Sequence, residues 1–337
     1  MFLDFYGLRE QPFGVTPDPR FLYLSPAHRE ALASMFYGID AERGFVALIA
    51  KPGMGKTTLL FQLLQKFQSR ARTAFVFQTQ CTSREFMRFL LLELGCEVSR
   101  EQDLVTMHEQ FNRCLLQEAQ AGRRFIVVVD EAQNLEASVL ETIRLLSDFE
   151  TLQAKLLQIV LSGQPELADK LARPSLRQLR QRVSLLTTLA PLSPEEVARY
   201  INHRLRAAGR PDGPLFTAPA AKMISELSEG IPRNINNICF NALSLGCALR
   251  QKTIDVGVIQ QVAADFDLAS LGSEPGTSTF EPETISFSAV SEARSLVAKS
   301  ISTPLKTRSG EPLNPEDALA YMQEIIRRLK NNQYFAN

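Results

Sequence analysis

Ala50-Lys-Pro-Gly-Met-Gly-Lys-Thr-Thr58 restricts this chain more than any other segment, because it follows the apolar run Phe45–Ile49 and precedes a stretch of helix formers. A strand, a glycine-rich bend and a helix in that order form a phosphate-binding loop. Gly53 and Gly55 let the backbone turn consecutive N–H groups toward phosphate oxygens. Lys56 is placed to reach the β- and γ-phosphates and Thr57 to set a hydroxyl on magnesium, while the helix N-terminus adds partial positive charge. Ala50 stands where the strict pattern has glycine, a replacement that fits if the position needs no positive φ. The expected ligand is a nucleoside triphosphate, held by Pro52, Gly53, Met54, Gly55, Lys56, Thr57 and Thr58.

The rest of the chain is consistent with a globular nucleotide-binding protein. Its 337 residues suffice for two domains with real cores, and 45% hydrophobic with 22% charged residues is ordinary. Lys+Arg and Asp+Glu number 37 each, so no global field draws the chain to nucleic acid or anionic lipid. Cys81, Cys96, Cys114, Cys239 and Cys247 form no CxxC pair, and reduced thiols are expected. The opening MFLDFYGLRE lacks the basic-then-apolar order of a signal peptide, and no apolar run reaches the ~18 residues of a membrane span. A cytoplasmic protein is expected, at most peripheral to the inner membrane through a partner.

Residues 1–24 read as irregular and aromatic, with Pro12, Pro17 and Pro19 interrupting regular structure. Ser25-Pro26 then caps a helix running to about Arg43. Apolar runs at 45–50, 73–78, 124–129 and 156–162 suit buried parallel strands, with 183–189 a candidate fifth. Helical stretches at 56–69, 83–95, 103–121 and 137–149 alternate with them, the second opening on the capping box Thr82-x-x-Glu85. That alternation predicts an α/β fold, a parallel sheet covered by helices, over 1–190. Beyond Pro191 only helices are expected, from the capped start at Ser193 through 218–228, 232–250 and 255–266, giving a small all-α domain over 191–268. Residues 269–313 have the composition of a flexible linker. A terminal helix over 314–337 carries Leu319, Met322, Ile326 and Leu329 on one face, suited to docking on its own domain or a partner.

The chemistry needs more than the loop. Residues 125–133, FIVVVDEAQ, read as an apolar strand ending in two acids. Asp130 would hold magnesium with Thr57, and Glu131 would polarise the water that attacks the γ-phosphate. No N-K-x-D guanine motif occurs, so ATP with Mg2+ is expected. The strand at 156–162 ends in Ser162-Gly163-Gln164, where Ser162 or Gln164 could hydrogen-bond the γ-phosphate or its attacking water, or simply cap the helix at Pro165. Residues 175–182, SLRQLRQR, place arginines at helical spacing, either a solvated basic face or a source of a guanidinium for a neighbouring subunit's γ-phosphate. Arg233, in GIPRNINN, stands at a helix start from which it could clasp the phosphates.

The segments FYGLREQPFGVTPDPRFLYLSPAHREAL, AKPGMGKTT, VVVDEAQNL, QIVLSGQPEL, LRQRVS and GIPRNINN, in that order over roughly 1–268, resemble the AAA+ ATPases of the general secretion pathway protein A type. The resemblance implies a P-loop AAA+ core with a helical lid, magnesium on Thr57 and Asp130, Glu131 as catalytic glutamate and Arg233 as second sensor. It also implies an arginine finger at Arg182 or Arg180, a segment around Phe13–Pro17 covering the adenine, and an oligomer, ring or dimer, serving secretion or envelope assembly. Founding members of the family continue into a transmembrane helix and a peptidoglycan-binding domain. Here a linker and a short amphipathic helix are expected instead, as in shorter cytoplasmic relatives.

Two functions follow. The first is an ATPase that drives or switches assembly of a secretion or envelope system, with the terminal helix recruiting the partner. The alternative is a DNA-associated helper ATPase, using a basic cluster of His203, Arg204, Arg206 and Arg210. A nucleotide-gated module without turnover would have no use for Glu131.

Overall fold

The structure, a computed structural model, describes residues 2–14, 18–77, 79–99, 101–149, 155–210 and 213–271. The chain starts with a short helix, α1 (Phe2–Tyr6), where irregular backbone was expected. Helix α2 (Pro26–Asp40) follows, its N-terminus closed by the Ser25 side chain accepting the His28 N–H and by Pro26 at the first position. Strand β1 (Phe45–Ile49) and helix α3 (Lys56–Phe67) flank the glycine-rich loop. Then come β2 (Ala71–Val76), α4 (Ser83–Glu93), α5 (Leu104–Gln120), β3 (Arg124–Val129), α6 (Ala137–Leu146), β4 (Leu157–Gly163), α7 (Pro165–Ala172), α8 (Arg177–Arg182) and β5 (Val183–Thr188). Every strand pairing is parallel, in the order β2-β3-β4-β1-β5.

The near-continuous apolar strands are explained by burial on both faces. Phe45, Ile49, Val127 and Ile159 meet helices α4 to α8 on one side, whereas Val46, Leu48, Val128 and Val160 meet α2 and α3 on the other. The order also fixes where the strand ends converge. Ile49 pairs with Gly163 and Val129 with Leu161, so the carboxyl ends of β1, β4 and β3 lie side by side. Ligands of open parallel sheets bind at that edge.

The remaining helices, α9 (Pro194–Ala207), α10 (Ala218–Ser228), α11 (Pro232–Ala248) and α12 (Val256–Leu271), form the helical bundle. Helix α12 continues into the stretch expected as linker; the rest of that linker and the terminal helix at 314–337 lie outside the described residues.

The N-terminal segment does not pack where the division at residue 190 puts it. Tyr6, Leu8, Phe13 and Phe21 are buried with Val197, Ile201 and Leu243, inside the bundle's core rather than the sheet's. These apolar side chains bury their surface there, and backbone links reinforce the strap. Arg9 N–H reaches Ala208 O, Arg204 Nε reaches Pro12 O, Arg210 reaches Tyr6 O and the Tyr6 hydroxyl reaches Gln251 O.

Cys96, just beyond α4, and Cys114, on α5, are brought next to each other because the two helices pack together against the sheet. Cys81, Cys239 and Cys247 are free.

Within the bundle, Gly230 has φ +67° and its carbonyl oxygen accepts the Leu192 N–H, closing the turn between α10 and α11 onto the segment that leads into α9. A Cβ there would lie 2.2 Å from the Leu192 carbonyl oxygen, a backbone atom that cannot swing aside. Gly230→Ala should therefore cost at least ~2 kcal/mol of stability, measurable by denaturant unfolding. Wild-type stability would show that this crossing is not close-packed.

Candidate active site

The loop from Ala50 to Gly55 turns on two left-handed glycines, Gly53 at φ +79° and Gly55 at φ +87°. Ala50 is not among the residues of positive φ, so its methyl group meets no backbone conflict. Its N–H donates to Gly163 O at 3.0 Å, holding the start of the loop against β4. Helix α3 then starts at Lys56, directing its N-terminus at the loop. Lys56 is 5% exposed, with its ammonium 3.1 Å from Ala50 O and 3.9 Å from a Glu131 carboxyl oxygen.

Thr57 donates its hydroxyl to Asp130 Oδ2 at 2.6 Å. Asp130 is buried, and its other oxygen accepts from Ser162 Oγ at 2.8 Å and from the Glu131 N–H at 3.0 Å. The aspartate is thus fixed from both sides. Thr57 and Asp130 supply hard oxygens of the kind Mg2+ takes together with substrate phosphates and water. Among the described residues no cluster of three or more His, Cys, Asp or Glu offers a rival metal site.

Glu131 occupies a left-handed turn with φ +51°. Its Oε2 accepts Gln133 Nε2 at 2.6 Å and Gln164 Nε2 at 3.1 Å. Burial raises the carboxyl pKa, but those two bonds and the nearby Lys56 and Arg233 charges outweigh it and hold the group below the usual carboxylate range. Glu131 is therefore ionised at neutral pH.

An open cleft of about 170 Å3 is lined by Gly53 to Thr58, Glu131 and residues from the bundle. Helix α11 enters it with its first turn, where the Arg233 N–H donates to Gly53 O at 3.1 Å and the exposed Arg233 side chain faces the cleft. The bundle also contributes Tyr200, Arg204 and Asn236, and the N-terminal segment with α2 contributes Asp18, Phe21, Tyr23 and His28. Met54 contributes only backbone, because its side chain is fully buried with Leu59 and Leu63; Pro52 is exposed outside the cleft.

Several expected residues stand elsewhere. Ser162 is fully buried and committed to Asp130, so its hydroxyl orients the acid rather than facing a phosphate. Arg180 and Arg182, expected to serve a neighbouring subunit, do not line this chain's own cleft. Arg182 is held at the end of α6 by Asp148 and by Ser147 Oγ at 2.5 Å, whereas Arg180 is exposed and, among the described residues, has no hydrogen-bond or ion-pair partner. Phe13 is buried against Phe216, while Gly14 and Asp18 reach the cleft; residues 15–17 lie outside the described residues. The basic cluster does not form a shared face. Arg204 and Arg210 are turned onto the N-terminal strap, Arg204 over the Phe21 ring at 5.0 Å, which leaves Arg206 exposed.

Residues 39–171 match the AAA domain family. General secretion pathway protein A of Aeromonas hydrophila is 42% identical over 243 residues, which is 72% of this chain and 44% of that protein. Residues 39–171 thus form an AAA ATPase domain, in a chain similar over most of its own length to general secretion pathway protein A. The ATPase spans less than half the length of this curated relative. In fold it is similar to Cdc6p from Pyrobaculum aerophilum, with a TM-score of 0.57 at 15% identity over 93% of this chain and 90% of that one. It is also similar to the ORC2 protein of Aeropyrum pernix, at 0.58 and 13% over 94% and 89%. The RuvB Holliday junction branch migration motor of Thermotoga maritima matches at 0.50 and 13% over 88% and 93%. At these identities the likeness is one of fold. No helix among the described residues of the ATPase is long and apolar enough to cross a membrane.

Sequence reasoning missed Gln133, His28, Tyr200 and Asn236. Gln133 follows the two acids closely enough to have been read as their partner, whereas Tyr200 and Asn236 meet only through the bundle, with the Tyr200 hydroxyl donating to Asn236 at 2.9 Å.

A base must be ionised to act, so hydrolysis fails as pH falls through the Glu131 pKa. Replacing Gln133 and Gln164 by leucine removes the bonds that favour the carboxylate, which raises that pKa. The acidic limb of the kcat/KM profile should move to higher pH by about one unit, roughly the effect of one to two kcal/mol of lost hydrogen bonding. An unshifted limb would mean that Glu131 does not set it.

Proposed function

We propose that this ATPase works as an oligomeric, ATP-driven switch or motor in the assembly of secretion or envelope machinery. One observation carries the reading: its identity, 42% over 243 residues, with a protein named for the general secretion pathway. The chemistry would proceed from the cleft. Lys56 and the backbone N–H groups of the loop would neutralise the triphosphate, and Thr57 and Asp130 would hold magnesium, which would supply positive charge to the phosphate oxygens. Glu131 draws the proton from the attacking water, kept in place by Gln133 and Gln164. Arg233 brings the bundle onto the triphosphate, so bundle position and nucleotide state are coupled. Division of the chain into a sheet core, a bundle with its N-terminal strap, a linker and a terminal helix follows the same reading.

Arg180 is the better candidate for a guanidinium delivered to a neighbouring copy, because Arg182 is already committed to Asp148 and Ser147 in its own chain. A partner protein would be recruited through the terminal region.

The test is ATP turnover with and without duplex DNA, over a salt series. The secretion reading predicts turnover indifferent to DNA. Stimulation by DNA with steep salt dependence would overturn it in favour of a DNA-associated helper. Within the same assay Arg180→Ala should lower kcat at least about a hundredfold while ATP still binds, whereas Arg182→Ala should act mainly through stability. Full turnover by Arg180→Ala would remove it from the site.

A further inference from the structure

At the start of α2 a buried imidazole meets the glycine-rich loop. His28 is 3% exposed, with Nδ1 2.8 Å from Ser25 Oγ and Nε2 3.0 Å from the Met54 carbonyl oxygen. The partners decide where the proton sits. A backbone carbonyl can only accept, so Nε2 carries the hydrogen and Nδ1 accepts from the Ser25 hydroxyl. That hydroxyl oxygen in turn accepts the His28 backbone N–H at 3.3 Å. Burial lowers the imidazole pKa, against the opposing effects of the Met54 bond and the Glu196 charge, and keeps the ring neutral.

What the imidazole grips matters more than its burial. Met54 lies between Gly53 and Gly55, both left-handed, so the peptides around it have unusual freedom to turn. In a planar trans peptide the C=O and the following N–H point in opposite directions. Holding the Met54 carbonyl toward α2 therefore directs the Gly55 N–H away from α2, at the point where the loop lines the cleft beside Lys56.

We propose that His28 is a positioning residue for ATP binding and hydrolysis: it locks the Met54–Gly55 peptide plane of the phosphate loop, with Ser25 fixing its tautomer. The lock spares the loop the entropy of ordering that peptide when ATP arrives. It rests on residues 50–58 being the phosphate loop.

Two replacements separate positioning from packing. His28→Leu keeps similar volume without a donor, and His28→Gln restores a donor that can reach the Met54 carbonyl. With thermal midpoints within a few degrees of the wild type, the leucine variant should bind ATP about tenfold more weakly by titration calorimetry, with a lower kcat. The glutamine variant should recover to within about threefold. Wild-type ATP affinity and turnover in the leucine variant, or equal loss in both, would overturn the proposal. If the leucine variant does not fold, nitrogen NMR of the wild-type imidazoles decides, since the chain has only 3 histidines. An Nε2–H tautomer at neutral pH is expected for His28; an Nδ1–H tautomer or a charged ring would overturn the lock. Lys56→Ala tests the loop reading itself: if that variant binds ATP normally, the failure lies there and not at His28.

Discussion

The hydrogen bond from Thr57 to Asp130, 2.6 Å across the end of β4, is the contact on which the site depends. It joins the first residues of α3 to the end of β3, far apart in sequence, and β1, the strand that leads to α3, is separated from β3 by β4. It forms only because β4 lies between β1 and β3 and ends level with them. Ser162, the last side chain before the glycine that ends β4, then holds the opposite oxygen of the same acid. A slip of one residue in the register of β4 would turn Ser162 to the other face and leave the buried Asp130 with an unsatisfied oxygen. The long apolar cores on both faces of the sheet are what fix that register.

A second constraint acts from the bundle. The N-terminal strap is buried among the bundle helices, held by Arg204 and Arg210, and then enters α2 beneath the phosphate loop. The bundle thus reaches the loop twice, through Arg233 on Gly53 and through the strap that leads to His28 on Met54. In the proposed mechanism, two joints of this kind would give a nucleotide-dependent bundle movement a direct mechanical path to the phosphate loop. They also account for the two guanidiniums that a sequence reading would assign to a DNA-binding face.

Much of this was legible in the chain. The parallel sheet, its five strands and the two acidic-strand and glycine-loop motifs follow from apolar runs and motif spacing, because those strands are buried on both faces and tolerate little else. Helix caps at Ser25, Thr82 and Ser193 are local chemistry and were readable as such. What could not be read is what folding brings together from distant sequence. Ser162 as a partner of Asp130, Arg182 as a partner of Asp148, the meeting of Cys96 with Cys114 and the packing of Tyr6, Leu8, Phe13 and Phe21 into the bundle all depend on tertiary neighbours that no periodicity announces. His28 is the same case: a histidine in a helical stretch reads as surface until α2 is laid against the loop.

In the proposed mechanism one cleft both binds ATP and cuts it, with Lys56 serving the first task and Glu131 the second. The direct measurement is ATP affinity and single-turnover hydrolysis for Glu131→Gln beside Lys56→Ala. Glu131→Gln should bind ATP as tightly as the wild type while hydrolysis falls by about two to four orders of magnitude, and Lys56→Ala should no longer bind. Hydrolysis at the wild-type rate by Glu131→Gln would contradict it.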